Sequence, residues 1–157
     1  MTDLGSRPVE TPGEWLRFAE ENLGVARREM TYERPAYHTV CFLHHSAAEK
    51  YLKAYLISRG WTLKKTHDLL ELLDLCEEYD PAFDSLVGDG SILNEYSVTG
   101  RYPGDISFDA FSEDNAREAV RAADERLNFA SSRSRSLARS SSSALTNPEP
   151  LNLPRNL

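Results

Sequence analysis

Cysteine is nearly missing from this chain: Cys41 and Cys76 are its only two, and neither belongs to a CxxC pair. No disulfide framework can be built from them, and buried, reduced thiols are expected instead. Long apolar runs are lacking too. None approaches the roughly 20 residues that span a bilayer. The N-terminus shows no basic-then-apolar signal pattern, so a soluble, cytoplasmic chain is expected. There is no P-loop, no GxGxxG, no nucleophile elbow, no internal repeat and no stretch with strand alternation. A net positive charge is also absent, the total being −7. Residues 131–157 carry +3, from Arg133, Arg135, Arg139 and Arg155 against Glu149, which leaves −10 on residues 1–130. An acidic body repels polyphosphate at long range. That argues against broad nucleic-acid tracking and leaves room for a small local basic site.

What is present is helical periodicity. Leu16, Ala19, Leu23, Ala26 and Met30 recur at steps of three and four, the stripe of an amphipathic helix over 13–30. A second helix is expected from about Pro35 to Arg59, with Pro35 in its first turn and Gly60 at its end. Its apolar residues point almost all round, which places it at the centre of a bundle. Thr66 is expected to cap a third helix through "THDLLELLDLCEEY", ending at Asp80-Pro81. Residues 82–97, around the Gly-rich "VGDG", read as a broken or short helix. "TGRYPGD" reads as a turn-rich loop, and Ser112 as the cap of a last helix with the stripe Ala116, Ala119, Val120, Ala123, Leu127 and Ala130. The expected fold is all-α, an up-and-down bundle of four or five helices over 13–130. A loose lead-in, 1–12, would precede it, and a disordered Ser/Arg-rich tail, 131–157, would follow.

The second helix carries titratable groups that a buried helix does not need. His38, Cys41, His45 and Glu49 fall on one stripe. A metal site there would need a further ligand from another element; a satisfied polar layer pairing His45 with Glu49 is the simpler expectation. No metal is therefore expected. Lys50 and Lys53 lie on an adjacent side, either as solvated lysines or as a patch for phosphate. Lys65 and His67 stand at the start of the third helix, where backbone amides and lysines suit an anion. Arg101 can fork onto a phosphate and Tyr102 can stack on a base.

Three segments in order, "CFLHHSAAEKYLKAYLISRG", "KTHDLLELL" and "SVTGRYPGD", resemble the HEPN family of small helical domains, in particular its stand-alone prokaryotic members. The resemblance covers roughly residues 13–130. It implies a helical bundle that dimerises and associates with a minimal nucleotidyltransferase, often as a two-component, toxin–antitoxin-like pair. In such pairs the HEPN partner binds nucleotide or substrate, or acts as the toxin. Carried over by position, Glu49, Lys50 and Lys53 match the helix motif, Lys65, His67 and Asp68 the helix start, and Arg101, Tyr102 and Pro103 the loop. Two departures matter. His45-Ser46 stands where relatives often have Gln-Gln. The arginine and histidine that ribonuclease-type members space four to six residues apart have no counterpart: Arg34 and His38 are separated by three residues, Arg59 and His67 by seven. The expectation is thus a non-catalytic module for a nucleotide, with or without magnesium, or for a nucleotidyltransferase partner. The competing expectations are an atypical metal-independent ribonuclease using His45, His67 and Arg101, and a structural dimer sealed by the polar stripe.

Overall fold

The computed structural model describes residues 10–99 and 110–144. Helix α1, Pro12–Glu29, begins where the Thr11 hydroxyl accepts from the Glu14 amide and Pro12 fills the first turn. A proline loses nothing there, because that N–H has no helical partner anyway. Leu16, Ala19, Leu23 and Ala26 are buried, as their spacing requires. Helix α2, Tyr37–Ser58, is buried round most of its circumference from Val40 to Leu56. It ends in a closed turn in which Trp61 N–H donates to the Leu56 carbonyl and Gly60 N–H to that of Ile57, both at 3.0 Å. Gly60 has φ +87°, which glycine alone adopts cheaply. The two helices run antiparallel, with Trp15 beside Lys53 and Asn22 beside Ser46.

Helix α3, Leu69–Tyr79, is followed by a 3-10 turn, Pro81–Leu86, and helix α4, Val87–Thr99. Asp68, not Thr66, caps α3, accepting from the Leu70 and Glu71 amides. Thr66 stands two residues too early to reach those amides; it donates instead to Glu71 Oε2 at 2.7 Å and accepts from Asp68 N–H. The break between α3 and α4 lies at the 3-10 turn. Gly88 and Gly90 sit inside α4, where Gly90 lets α3 come close: a Cβ on it would stand 2.5 Å from Leu73 Cδ1.

Helix α5, Glu113–Val120, starts in a reciprocal cap between Ser112 and Asn115. It continues through a π-helical turn, Arg121–Leu127, into helix α6, Asn128–Ala144. Helix α1 runs antiparallel to this length, bridged to it by the long side chains of the Arg27–Asp124 and Arg135–Glu20 ion pairs. The helix crosses the boundary that composition suggests at 130. Ser131 and Ser134 are buried there, Ser134 Oγ donating to the Ala130 carbonyl. Serines are small enough for close packing; Ser134 spends its hydroxyl on the helix's own backbone, whereas Ser131 Oγ finds no hydrogen-bond partner among the described residues. The fold is an all-α bundle with Phe83 at one end of its core, 4.6 Å from the Tyr55 ring and 5.3 Å from Phe129. Cys41 and Cys76 are free and buried, and burial pushes the Cys41 thiol up to about 12. No described helix is long and apolar enough to cross a membrane.

Candidate functional site

The polar half of α2 meets the start of α3 in an ion-paired chain. Glu49 and Lys53 are one helical turn apart, and Lys53 Nζ donates to Glu49 Oε1 at 2.7 Å. The other oxygen, Oε2, lies 3.0 Å from His67 Nδ1. Lys53 is 4% exposed, and its ammonium stands 5.4 Å from the centre of the Trp15 ring. Burial by itself would raise the Glu49 pKa; the hydrogen bonds from Lys53 and His67 outweigh it and hold the carboxyl below its ordinary value. The chain thus runs from Trp15 through Lys53 and Glu49 to an exposed imidazole.

Next to it, Lys50 donates to Ser46 Oγ, which also accepts from Asn22 Nδ2 at 2.9 Å. Burial lowers the Lys50 pKa, with the Glu49 charge opposing. Lys50 and Lys65 line one groove of about 870 Å³ together with Glu10, Glu14, Trp15, Phe18 and Leu63. Two cations from different elements and two aromatic rings share a largely apolar trough, a combination that suits a flat ring carrying negative charge. Phe18 is 63% exposed, far more than a core aromatic would be.

The other positions named from the sequence separate from this groove. His45 is buried, and the nearby Asp68 carboxyl is held below its ordinary value first by Asn94 and then, against the opposing effect of burial, by the amides it caps. The pairing expected between His45 and Glu49 gives way to Glu49 with Lys53 and His67. His38 lies edge-on to Phe111 at 4.8 Å. No three His, Cys, Asp or Glu side chains converge on a metal position among the described residues. Arg101 and Tyr102 lie outside the described residues. Sequence reasoning does not single out Trp15 and Phe18, although both are large apolar residues beside, not on, the α1 stripe.

A helical bundle with an aromatic, lysine-bearing groove and a caged Glu–Lys–His chain defines a small all-α module. The HEPN domain model matches residues 13–133, and the chain belongs to this family. Among solved structures, a protein from Thermus thermophilus is similar at 30% identity and TM-score 0.67, over 78% of this chain and 97% of that one. An archaeal HEPN homologue shares the fold at 24% identity and TM-score 0.65, over 80% of this chain and 99% of that one. No curated protein matches the sequence.

Proposed function

We propose that this HEPN chain is a non-catalytic binding module and that its α1–α2 groove takes a nucleotide. The observation that carries the reading is the presence of Lys50 and Lys65 in one groove with Trp15 and Phe18. The base stacks on the rings, and the phosphates lie against the ammonium groups. Lys50 favours such a ligand, since a phosphate would offset the cost its half-burial imposes on the charged form. Lys53 serves from beneath, fixing Trp15 and Glu49 in place. Glu10 and Glu14 at the rim repel a bare triphosphate, so magnesium strengthens binding. Arg101 and Tyr102 enter this reading on the family motif alone.

Calorimetric titration with ATP and then the other nucleoside triphosphates, with and without magnesium, tests it. Saturable binding near one per chain or one per dimer is expected. Trp15→Leu and Lys65→Ala should each weaken it about tenfold, the loss of one stack or one charged contact. No heat at millimolar ligand, or affinity indifferent to both changes, rejects the nucleotide. In that outcome the exposed Phe18, Val25 and Phe42 on the same hairpin support a protein-binding role, toward a minimal nucleotidyltransferase or a second copy of the chain.

One observation favours a second reading, a ribonuclease. Glu49 holds His67 through Nδ1 while the imidazole stays 62% exposed, the arrangement of an oriented general base. RNA cleavage that disappears in His67→Ala would establish it. Cleavage equal in wild type and variant would remove it.

A further inference from the structure

At the C-terminal end of α1, Arg27, Arg117 and Arg121 line a second cleft, of about 390 Å³, with Met30 and Val120 as its apolar lining. Arg117 and Arg121 are four residues apart, so they share one face of the last helix. Arg121 stands where α5 passes into the π turn, and Arg27 reaches in from the last turn of α1. In a chain of net charge −7, the described lining of this cleft carries three arginines and no acid, although Asp124 and Glu113 stand beside it, each paired with one of them. Two of the guanidiniums are braced from the side. Asp124 accepts from Nε and Nη2 of Arg27, and Glu113 from Nε and Nη2 of Arg117. Each carboxylate uses the same edge of its arginine, which leaves Nη1 for another partner. The Arg27 and Arg117 side chains remain 57% and 61% exposed.

We infer that this cleft binds the phosphoryl group of a small phosphomonoester, held by Arg27, Arg117 and Arg121, with the organic part over Met30 and Val120. Planar guanidinium edges match phosphoryl oxygens in pairs, as ammonium groups do not. The volume falls at the low end of small-molecule sites, room for a short organic body and not for a long one. The acidic surroundings disfavour a nucleic-acid strand, whose further phosphates would lie over negative surface. This site does not rest on the nucleotide reading of the α1–α2 groove, and it lies at the opposite end of α1.

Backbone amide shifts of the full chain, followed during titration with inorganic phosphate and with glycerol phosphate, test the inference against chloride at equal ionic strength. Saturable shifts are expected at residues 27–30 and 117–121. Arg121→Gln should weaken binding about tenfold and Arg121→Lys less, the loss of one paired, charge-assisted contact and its partial replacement. Arg121 is exposed, so the fold should persist, and Arg117→Gln gives a second, independent variant. Shifts that rise without saturating, that are the same in all variants, or that fall only at Lys50 and Lys65 overturn the inference. Tighter binding of a short oligouridylate at the same amides overturns it in favour of a nucleic-acid strand.

Discussion

Glu49 and Lys53 show how a charged pair survives inside an acidic bundle. Neither is readily buried alone: removing Glu49 leaves Lys53 without its carboxylate, and removing Lys53 leaves Glu49 with His67 as its one remaining ion-pair partner among the described residues. Lys53→Met should therefore cost about 3 kcal/mol in urea unfolding at pH 7, while the double change Glu49→Leu with Lys53→Met should recover most of it. Recovery absent in the double variant would mean that the pair itself, not its disruption, carries the stability. Because the folded Glu49 carboxyl lies below its ordinary 4.5, the unfolded chain takes up that proton first on acidification. Its stabilisation is complete above the ordinary carboxyl range and is lost as pH falls through the lower folded value. Wild type should exceed Glu49→Gln in stability by more at pH 6 than at pH 3.5. His44 works in a higher window. It is fully buried, donates through Nδ1 to the Val40 carbonyl at 2.7 Å, and leaves Nε2 without a hydrogen bond among the described residues. Burial lowers its pKa, so below about 6.5 the unfolded chain gains a proton that the folded one refuses. Between pH 7.5 and 5.5 the urea midpoint of wild type should drop more than that of His44→Leu.

At the scale of elements, the glycines of α4 separate two effects that sequence alone runs together. Nothing stands within 4 Å of a Cβ at Gly88, whereas one at Gly90 meets Leu73. Gly88→Ala should raise stability by up to about 0.5 kcal/mol through helix propensity. Gly90→Val should lower it by about 2 kcal/mol, because a branched side chain would force α3 and α4 apart. Thermal melts of the two variants should move in opposite directions. The same contrast explains the unexpected length of the last helix. Ser131 and Ser134 read as tail residues by composition, yet their size lets α6 lie against the core, where Arg133 covers the Phe129 ring at 4.6 Å and pairs with Asp80 at 3.4 Å.

For the whole molecule, that helix has a measurable consequence. A chain ended at residue 130 would lose the Arg133–Asp80 and Arg135–Glu20 ties and uncover the surface that Ser131 and Ser134 seal. It should melt at least about 5 °C below a chain ended at 144, the shift expected of about 2 kcal/mol in a domain of this size. Equal melting temperatures would show that the bundle closes without α6. Long-range charge remains acidic at this scale, so the arginine cleft at Arg27–Arg117–Arg121 is a local exception, whereas Lys50 and Lys65 share their groove with Glu10 and Glu14.

The sequence by itself determined α1, α2, α3 and α5 and their order, but not the run of α6 past residue 130. The buried stripe of α1, the central place of α2, its stop at Gly60 and the Ser112 cap were all legible, because periodicity and capping depend on neighbours within a turn. It also showed that α2 carries more charge than a core helix needs, with Glu49 on the stripe of His45 and Lys53 on an adjacent side; their pairing was not legible in it. Tertiary structure alone decided what those charges meet. Lys53 is sealed beneath Trp15, Glu49 turns to His67 and not to His45, and Lys50 joins Lys65 across a groove with Phe18. Arg27 likewise faces Arg117 and Arg121 only because α1 lies along the last helix. Each of these meetings joins residues from different elements. Whether they touch is set by how whole helices pack, and no local pattern encodes that distance.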